Sequence, residues 1–275
     1  MTRIQVTNDD GIASTGLHVL AKAMRAHGEV VIVAPDSEHS GASAALGPLH
    51  LIQPVAKRVA IDGIDEAWSI NGAPALCTMF ARFGLFGKID LVVSGINPGA
   101  NVGRSVYHSG TVGAALTARN GGISGVAVSQ AVTGLGIEGQ GWDEMIQDQH
   151  WESAAAVASA VVAELLAAPP DDPVVININV PNRPLGSLGA WRHAEVGLAP
   201  PRALGSARLE PIGGTEGCYS IRMDYSDQID APAHTDTGAI ERGEVTISYL
   251  SRLQADSRPD LGRLDAALDA LLSGP

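Results

Sequence analysis

The feature that most constrains this chain is a recurring run of β-branched and aliphatic residues that is apolar at nearly every position, not at alternate ones. Such runs stand at 4–7, 29–34, 89–93, 126–128 and 174–180. A strand that is apolar on both faces must be covered on both, the condition of strands in a parallel sheet between helical layers. Helical spacing fills the intervals. Leu17, Leu20, Ala21 and Met24 share a face; Leu76, Met79 and Phe80 follow Pro74, which can open a helix at its first turn; further helices are predicted over about 111–119 and over 153–168, the last closed by Pro169-Pro170. The alternation predicts an α/β fold with a mostly parallel sheet, and residues 55–70 fit a hairpin.

Past Pro181 the pattern stops. Residues 182–240 are rich in Gly, Pro, Arg and Asp without a helical stripe, which predicts an irregular arm or long hairpin and not more sheet. A strand-like run at 244–250 and an amphipathic helix carrying Leu261, Leu264, Leu268, Leu271 and Leu272 close the chain. The predicted organisation is therefore an α/β core over 1–182, an arm with a returning strand over 183–251, and a terminal helix over 252–275.

Composition excludes several classes. With 275 residues, 45% hydrophobic and 17% charged, the chain can build one large core. A net charge of −12 argues against a nucleic-acid duplex as partner, because such binding neutralises many phosphates with Lys and Arg. No apolar segment is long enough for a membrane span, no secretory signal is visible, and Cys77 and Cys218 have no metal-ligand spacing, so a reducing cytoplasmic compartment is expected.

The informative polar residues sit where the predicted strands end. The first strand runs into Asn8-Asp9-Asp10-Gly11, two adjacent carboxylates and a glycine; the motif serves either as turn chemistry or as a cation site, since neighbouring acids repel unless solvent or a cation relieves them. The second strand leads through Pro35-Asp36 to Ser40-Gly41, and the third ends at Asn97. In open parallel sheets ligands collect at these carboxyl ends. Two carboxylates, a hydroxyl and an amide form an all-oxygen set suited to magnesium or manganese and poorly to zinc, although Ser40 and Asn97 taken singly also fit loop hydrogen bonding. Ser109-Gly110-Thr111 precedes the helix from Val112, either as an ordinary N-cap or as an anion site of main-chain N–H groups and two hydroxyls. Gly134-Leu135-Gly136-Ile137-Glu138-Gly139 matches the dinucleotide glycine pattern, but Gln140-Gly141-Trp142-Asp143 cannot continue the small apolar helix that pattern needs, so a loop is expected.

These residues also carry a resemblance. Asn8-Asp9-Asp10-Gly11, Ser40-Gly41-Ala42-Ser43, Asn71-Gly72-Ala73-Pro74, Ser94-Gly95-Ile96-Asn97 with Gly99, Asn101 and Gly103, and Ser109-Gly110-Thr111-Val112-Gly113 resemble, in order and spacing, the signature blocks of the SurE family of survival-protein nucleotidases. Asn177-Ile178-Asn179-Val180-Pro181-Asn182 and Thr235-Asp236 resemble its later landmarks. The resemblance implies a Rossmann-like, doubly wound core with a C-terminal β-hairpin arm and terminal helix. It implies one divalent metal ion per subunit, Mg2+ or Mn2+, on Asp9, Asp10, Ser40 and Asn97. It also implies hydrolysis of nucleoside 5'- and 3'-monophosphates, sometimes short polyphosphate, by a homodimer or homotetramer assembled through the arm. On this reading Asn101, Ser109, Gly110 and Thr111 hold phosphate oxygens, and Asp9, ahead of Asp10, is the candidate to orient or deprotonate the attacking water. His108, where the family pattern more often has Tyr, is a candidate general acid for the leaving alkoxide or else a wall residue. The chain departs from the pattern at Ala73 and Leu76 beside the Asn71 loop, a candidate pocket wall, and at Thr117. A metal- and nucleotide-binding regulatory protein without turnover is the alternative class.

Overall fold

The computed structural model of the chain describes residues 1–132, 146–198, 204–214, 217–225 and 230–272. Inside the sheet lies β1 (Arg3–Thr7), flanked in parallel by β2 (Glu29–Pro35) on one side and β5 (Leu91–Pro98) on the other. β3 (Ala56–Arg58) and β4 (Glu66–Ile70) form the expected hairpin, and β4 then pairs in parallel with β2. On the far side β6 (Gly125–Gln130) and β7 (Val175–Val180) continue the parallel set, and β11 (Val245–Leu250) returns antiparallel to β7. β8 (Trp191–His193) pairs in parallel with β11. Among the described residues the sheet order is β3-β4-β2-β1-β5-β6-β7-β11-β8.

The apolar runs divide between two layers because successive strand side chains point to opposite faces. Val30, Ile32 and Ala34 of β2 join Ile4 and Val6 beneath α1 (Thr15–Met24) and α4 (Trp151–Ala167). Val31 and Val33 face the other way, with Cys77 and Ala81 of α2 (Pro74–Arg82) and Ala118 of α3 (Gly110–Asn120). Leu17, Leu20, Ile4 and Ile32 have no exposed surface; burying each contributes about 2 kcal/mol, so the helices are fixed to the sheet and the strand ends to one another.

The chain leaves β1 for β2 on one side and later crosses to β5 on the other, so a crevice opens between the carboxyl ends of β1 and β5. The arm differs from expectation in one respect. Residues 191–193 add an edge strand to the main sheet, because β11 alone would leave its outer backbone groups unpaired. The remainder agrees: β9 (Leu204–Pro211) and β10 (Tyr219–Tyr225) form a separate antiparallel hairpin, followed by the short α5 (Asp236–Glu241) and α6 (Gly262–Leu272), whose leucines are exposed. The glycine pattern at 134–139 lies outside the described residues. Among the described residues no helix is long and apolar enough to cross a membrane.

Candidate metal and phosphate site

The turn after β1 is built from its own sequence. Asn8 Nδ2 donates to the Gly11 carbonyl at 3.1 Å, and Gly11 has φ +97°, a left-handed conformation that a side chain would strain. Ile12 N–H donates to the Pro35 carbonyl at 2.8 Å, and His39 N–H to the Asp9 carbonyl at 2.7 Å, so the turn is strapped to the end of β2 and to the loop after it.

Asp9 is only 3% exposed and both its oxygens are engaged by the start of α3. Gly110 N–H donates to Oδ2 at 3.1 Å and the Thr111 hydroxyl to Oδ1 at 2.5 Å. A Cβ at Gly110 would lie 2.8 Å from Asp9 Cβ and 2.9 Å from its Oδ2, so only glycine lets the carboxylate sit against the helix end. Burial pushes the Asp9 carboxyl above its ordinary range, opposed by the Thr111 hydroxyl and the α3 main chain. The donors expected to face a phosphate thus hold a metal-ligand candidate. Ser109 is the N-cap, its Oγ accepting from Val112 N–H at 3.1 Å.

Asp10 stands in a different environment. Its Oδ2 is buried without a hydrogen-bond partner. Burial, then the charges of Asp9 and Glu38, push its carboxyl up to about 8. Among the described residues no Lys or Arg pairs with Asp9, Asp10 or Glu38. Asn8 Oδ1, at the same strand end, is likewise buried and unpartnered. Orphaned oxygens beside uncompensated acids are what a hard divalent cation satisfies, so the residues present fit such an ion. Among the described residues no three His, Cys, Asp or Glu side chains group as metal ligands. A cation here would have the two aspartates as its charged ligands and hydroxyl, amide or water oxygens for the rest.

The remaining candidates are arranged around this pair. Ser40 is exposed in the loop after β2, its hydroxyl donating to Glu38 Oε1 at 2.9 Å. Asn97 is half-buried beyond a register shift in β5, with Nδ2 donating to the Gly99 carbonyl at 2.6 Å, so its Oδ1 is the atom that could face a cation. Asn101 is 8% exposed and held by four hydrogen bonds from three residues. Its N–H donates to Asn179 Oδ1 at 2.7 Å, its carbonyl accepts from Asn177 Nδ2 at 2.9 Å and Asn179 Nδ2 at 3.2 Å, and its Nδ2 donates to Ser129 Oγ at 2.8 Å. His108 is exposed at the end of the 3-10 turn Gly103–Tyr107, and its carbonyl accepts from Ser43 N–H at 3.1 Å.

Glu38 and Ser129 escaped the sequence reading, and Asn8 entered it only as part of the strand-end motif. Asn177 and Asn179 entered it only through the resemblance, although a polar amide at i and i+2 of an apolar strand is itself a signal: both are fully buried, and on one face.

Comparison with known proteins places this geometry. The family model described as "Survival protein SurE" matches residues 4–200. A protein of Vibrio parahaemolyticus serotype O3:K6 (strain RIMD 2210633) named 5'-nucleotidase SurE is 37% identical over 250 residues, 90% of this chain and 88% of that protein. One of the same name from Legionella pneumophila subsp. pneumophila (strain Philadelphia 1) is 34% identical over 248 residues, 90% of each. The crystal structure of a SurE protein from Aquifex aeolicus superposes with a TM-score of 0.72 at 26% identity, covering 98% of this chain and 99% of that one.

Proposed function

The chain belongs to the SurE survival-protein family, and from that membership we propose that it is a metal-dependent nucleotidase releasing phosphate from nucleoside 5'- and 3'-monophosphates. The observation that carries the reading is the buried, unpartnered Asp10 oxygen beside Asp9 at the sheet's switch point, with no Lys or Arg among the described residues paired to either acid. Asp9, Asp10, Ser40 and Asn97 would hold one Mg2+ or Mn2+ per subunit. When bound, the ion supplies Lewis acidity toward a phosphate oxygen and lowers the pKa of an attacking water.

The chain's own residues divide the remaining work. Asp9 has both oxygens fixed by α3, which suits a rigid ligand; the less constrained Asp10 is better placed to accept a proton from water. Asn101 Nδ2 keeps one hydrogen beyond the bond to Ser129, and Ser109, whose oxygen caps α3, keeps its hydroxyl proton; both can donate to phosphate oxygens. Gly110 and Thr111 act through Asp9, and the positive end of the α3 dipole favours an anion nearby. His108 N–H would protonate the leaving alkoxide.

Hydrolysis is carried out in the cytoplasm by a homodimer or homotetramer. Both cysteines are unpaired, and exposed Leu209, Ile221 and Met223 on the β9-β10 hairpin, with Leu264 and Leu268 on α6, offer apolar surface for a second copy. The deciding experiment is hydrolysis of nucleoside monophosphates and p-nitrophenyl phosphate with and without chelator. EDTA should abolish turnover, manganese or magnesium restore it, and zinc restore it poorly; Asp9→Asn or Asp10→Asn should remove it in a folded protein. Undiminished activity in chelator, or in either variant at saturating metal, overturns the reading.

A further inference from the structure

Asp236 lies outside the cation site and has no exposed surface. Its hydrogen-bond donors are main-chain N–H groups of two distant segments and of the adjacent Thr237, whose hydroxyl also donates to Oδ1 at 3.4 Å. Gly103 donates to Oδ1 at 3.2 Å and Oδ2 at 3.1 Å, Gly197 to Oδ1 at 2.8 Å, and Thr237 to Oδ1 at 2.7 Å. No ion pair with Lys or Arg joins it among the described residues. A buried carboxylate without a cation is costly, so its retention calls for a task that needs two acceptor oxygens at one point.

The donors identify the task. Gly103 is two residues from Asn101 and begins the turn Gly103–Tyr107, whose far end delivers His108, Ser109 and α3. Gly197 and Asp236 belong to the two stems of the arm, which are stitched together by Glu195 N–H on the His234 carbonyl at 3.1 Å and Asp236 N–H on the Glu195 carbonyl at 2.8 Å. The β7 amides clamp Asn101 from one side, and Asp236 clamps the same loop from the other. We infer that Asp236 is a positioning residue: its carboxylate pins the base of the oligomerisation arm to the loop that presents Asn101, so that arm and phosphate-binding loop hold one fixed arrangement.

This rests on the phosphate-binding role proposed for Asn101, and a double-mutant cycle in the full-length enzyme tests it. Asp236→Asn keeps the size but presents an NH2 group where an acceptor is required. Acting through Asn101, it should lower kcat on p-nitrophenyl phosphate by about tenfold at saturating metal, and add less than about twofold to the loss in Asn101→Ala. Thr235→Ala removes the hydroxyl that caps Gly238 N–H at 3.2 Å on the same helix without touching Gly103, and should stay within about twofold of the parent kcat. Losses that multiply in the double variant, or parental activity in Asp236→Asn, overturn the inference. Should Asp236→Asn fail to fold, or the parent prove inactive, amide hydrogen exchange on the unmodified protein decides: Gly103 and Gly197 N–H, held by one carboxylate, should exchange in the same opening event, and Gly103 exchanging about tenfold faster than Gly197 refutes the tether.

Discussion

Asp10→Asn should stabilise the metal-free protein while destroying its activity. The buried carboxyl is pushed up to about 8 in the folded chain by burial and by the neighbouring charges of Asp9 and Glu38, whereas the unfolded chain ionises it near the ordinary value of 3.8. A folded-state value raised above the unfolded one means that the native protein holds the proton more tightly. The contribution of this group to stability is therefore greatest below pH 4, declines as pH rises between the two values, and reaches its full penalty above pH 8. At pH 7 the interval of about three units corresponds to about 4 kcal/mol at most, from 1.36 kcal/mol per unit, and relaxation around the site reduces it to about half. Asparagine fills the same volume without the charge. In EDTA at pH 7, Asp10→Asn should melt about 4 °C or more above the parent, since 1 kcal/mol moves the midpoint of a chain this size by about 2–4 °C. The gap should close toward pH 4. Manganese should raise the parent's midpoint and leave the variant's unchanged, because the ion stabilises only what binds it. Thermal melts across pH 4–8, with and without metal, provide the measurement. A variant less stable than the parent in chelator at pH 7, or a gap independent of pH, refutes the description of Asp10 as a charge held for a cation.

Three further outcomes follow from the Asp9 clamp and from His108. Thr111→Val keeps the shape but removes the 2.5 Å hydroxyl bond to Asp9, a charge-assisted contact worth about 1.5–3 kcal/mol; metal titrations of activity should shift by about tenfold or more and recover at high metal, and an unshifted titration contradicts the clamp. Gly110→Ala places a methyl 2.8 Å from Asp9 Cβ and should cost both metal affinity and turnover in a folded protein, read by calorimetry and kinetics; normal affinity would show that the close approach is not needed. His108→Phe should slow nucleoside leaving groups far more than p-nitrophenolate, which needs no proton, and equal losses on both would leave His108 as a wall residue.

The elements were legible because their signals are local. Apolar runs and helical spacing located β1, β2, β5, β6, β7 and the four long helices of the core to within a few residues, and the strand-end acids stood out as polar residues in costly positions. β8 was missed: three residues, Trp191–His193, contain no period, and they form a strand only because β11 offers an unpaired edge. Ser109 has the N-cap role its residue type favours. The Asp9 clamp was not legible, because Gly110 and Thr111 lie 101 and 102 residues from Asp9 and nothing in either segment specifies the other.

By itself, then, the amino-acid sequence determined the α/β architecture, the oxygen-rich strand ends and, through its motif blocks, the family, since these depend on the order and spacing of neighbouring residues. The tertiary structure alone decided what each polar group does once buried. It turned the start of α3 toward Asp9, left Asp10 Oδ2 without a donor, closed Asn101 between Ser129, Asn177 and Asn179, and brought Asp236 of the C-terminal segment under Gly103. Those assignments depend on which donor reaches which acceptor across the packed sheet, a matter of distances that appear only when the chain has folded.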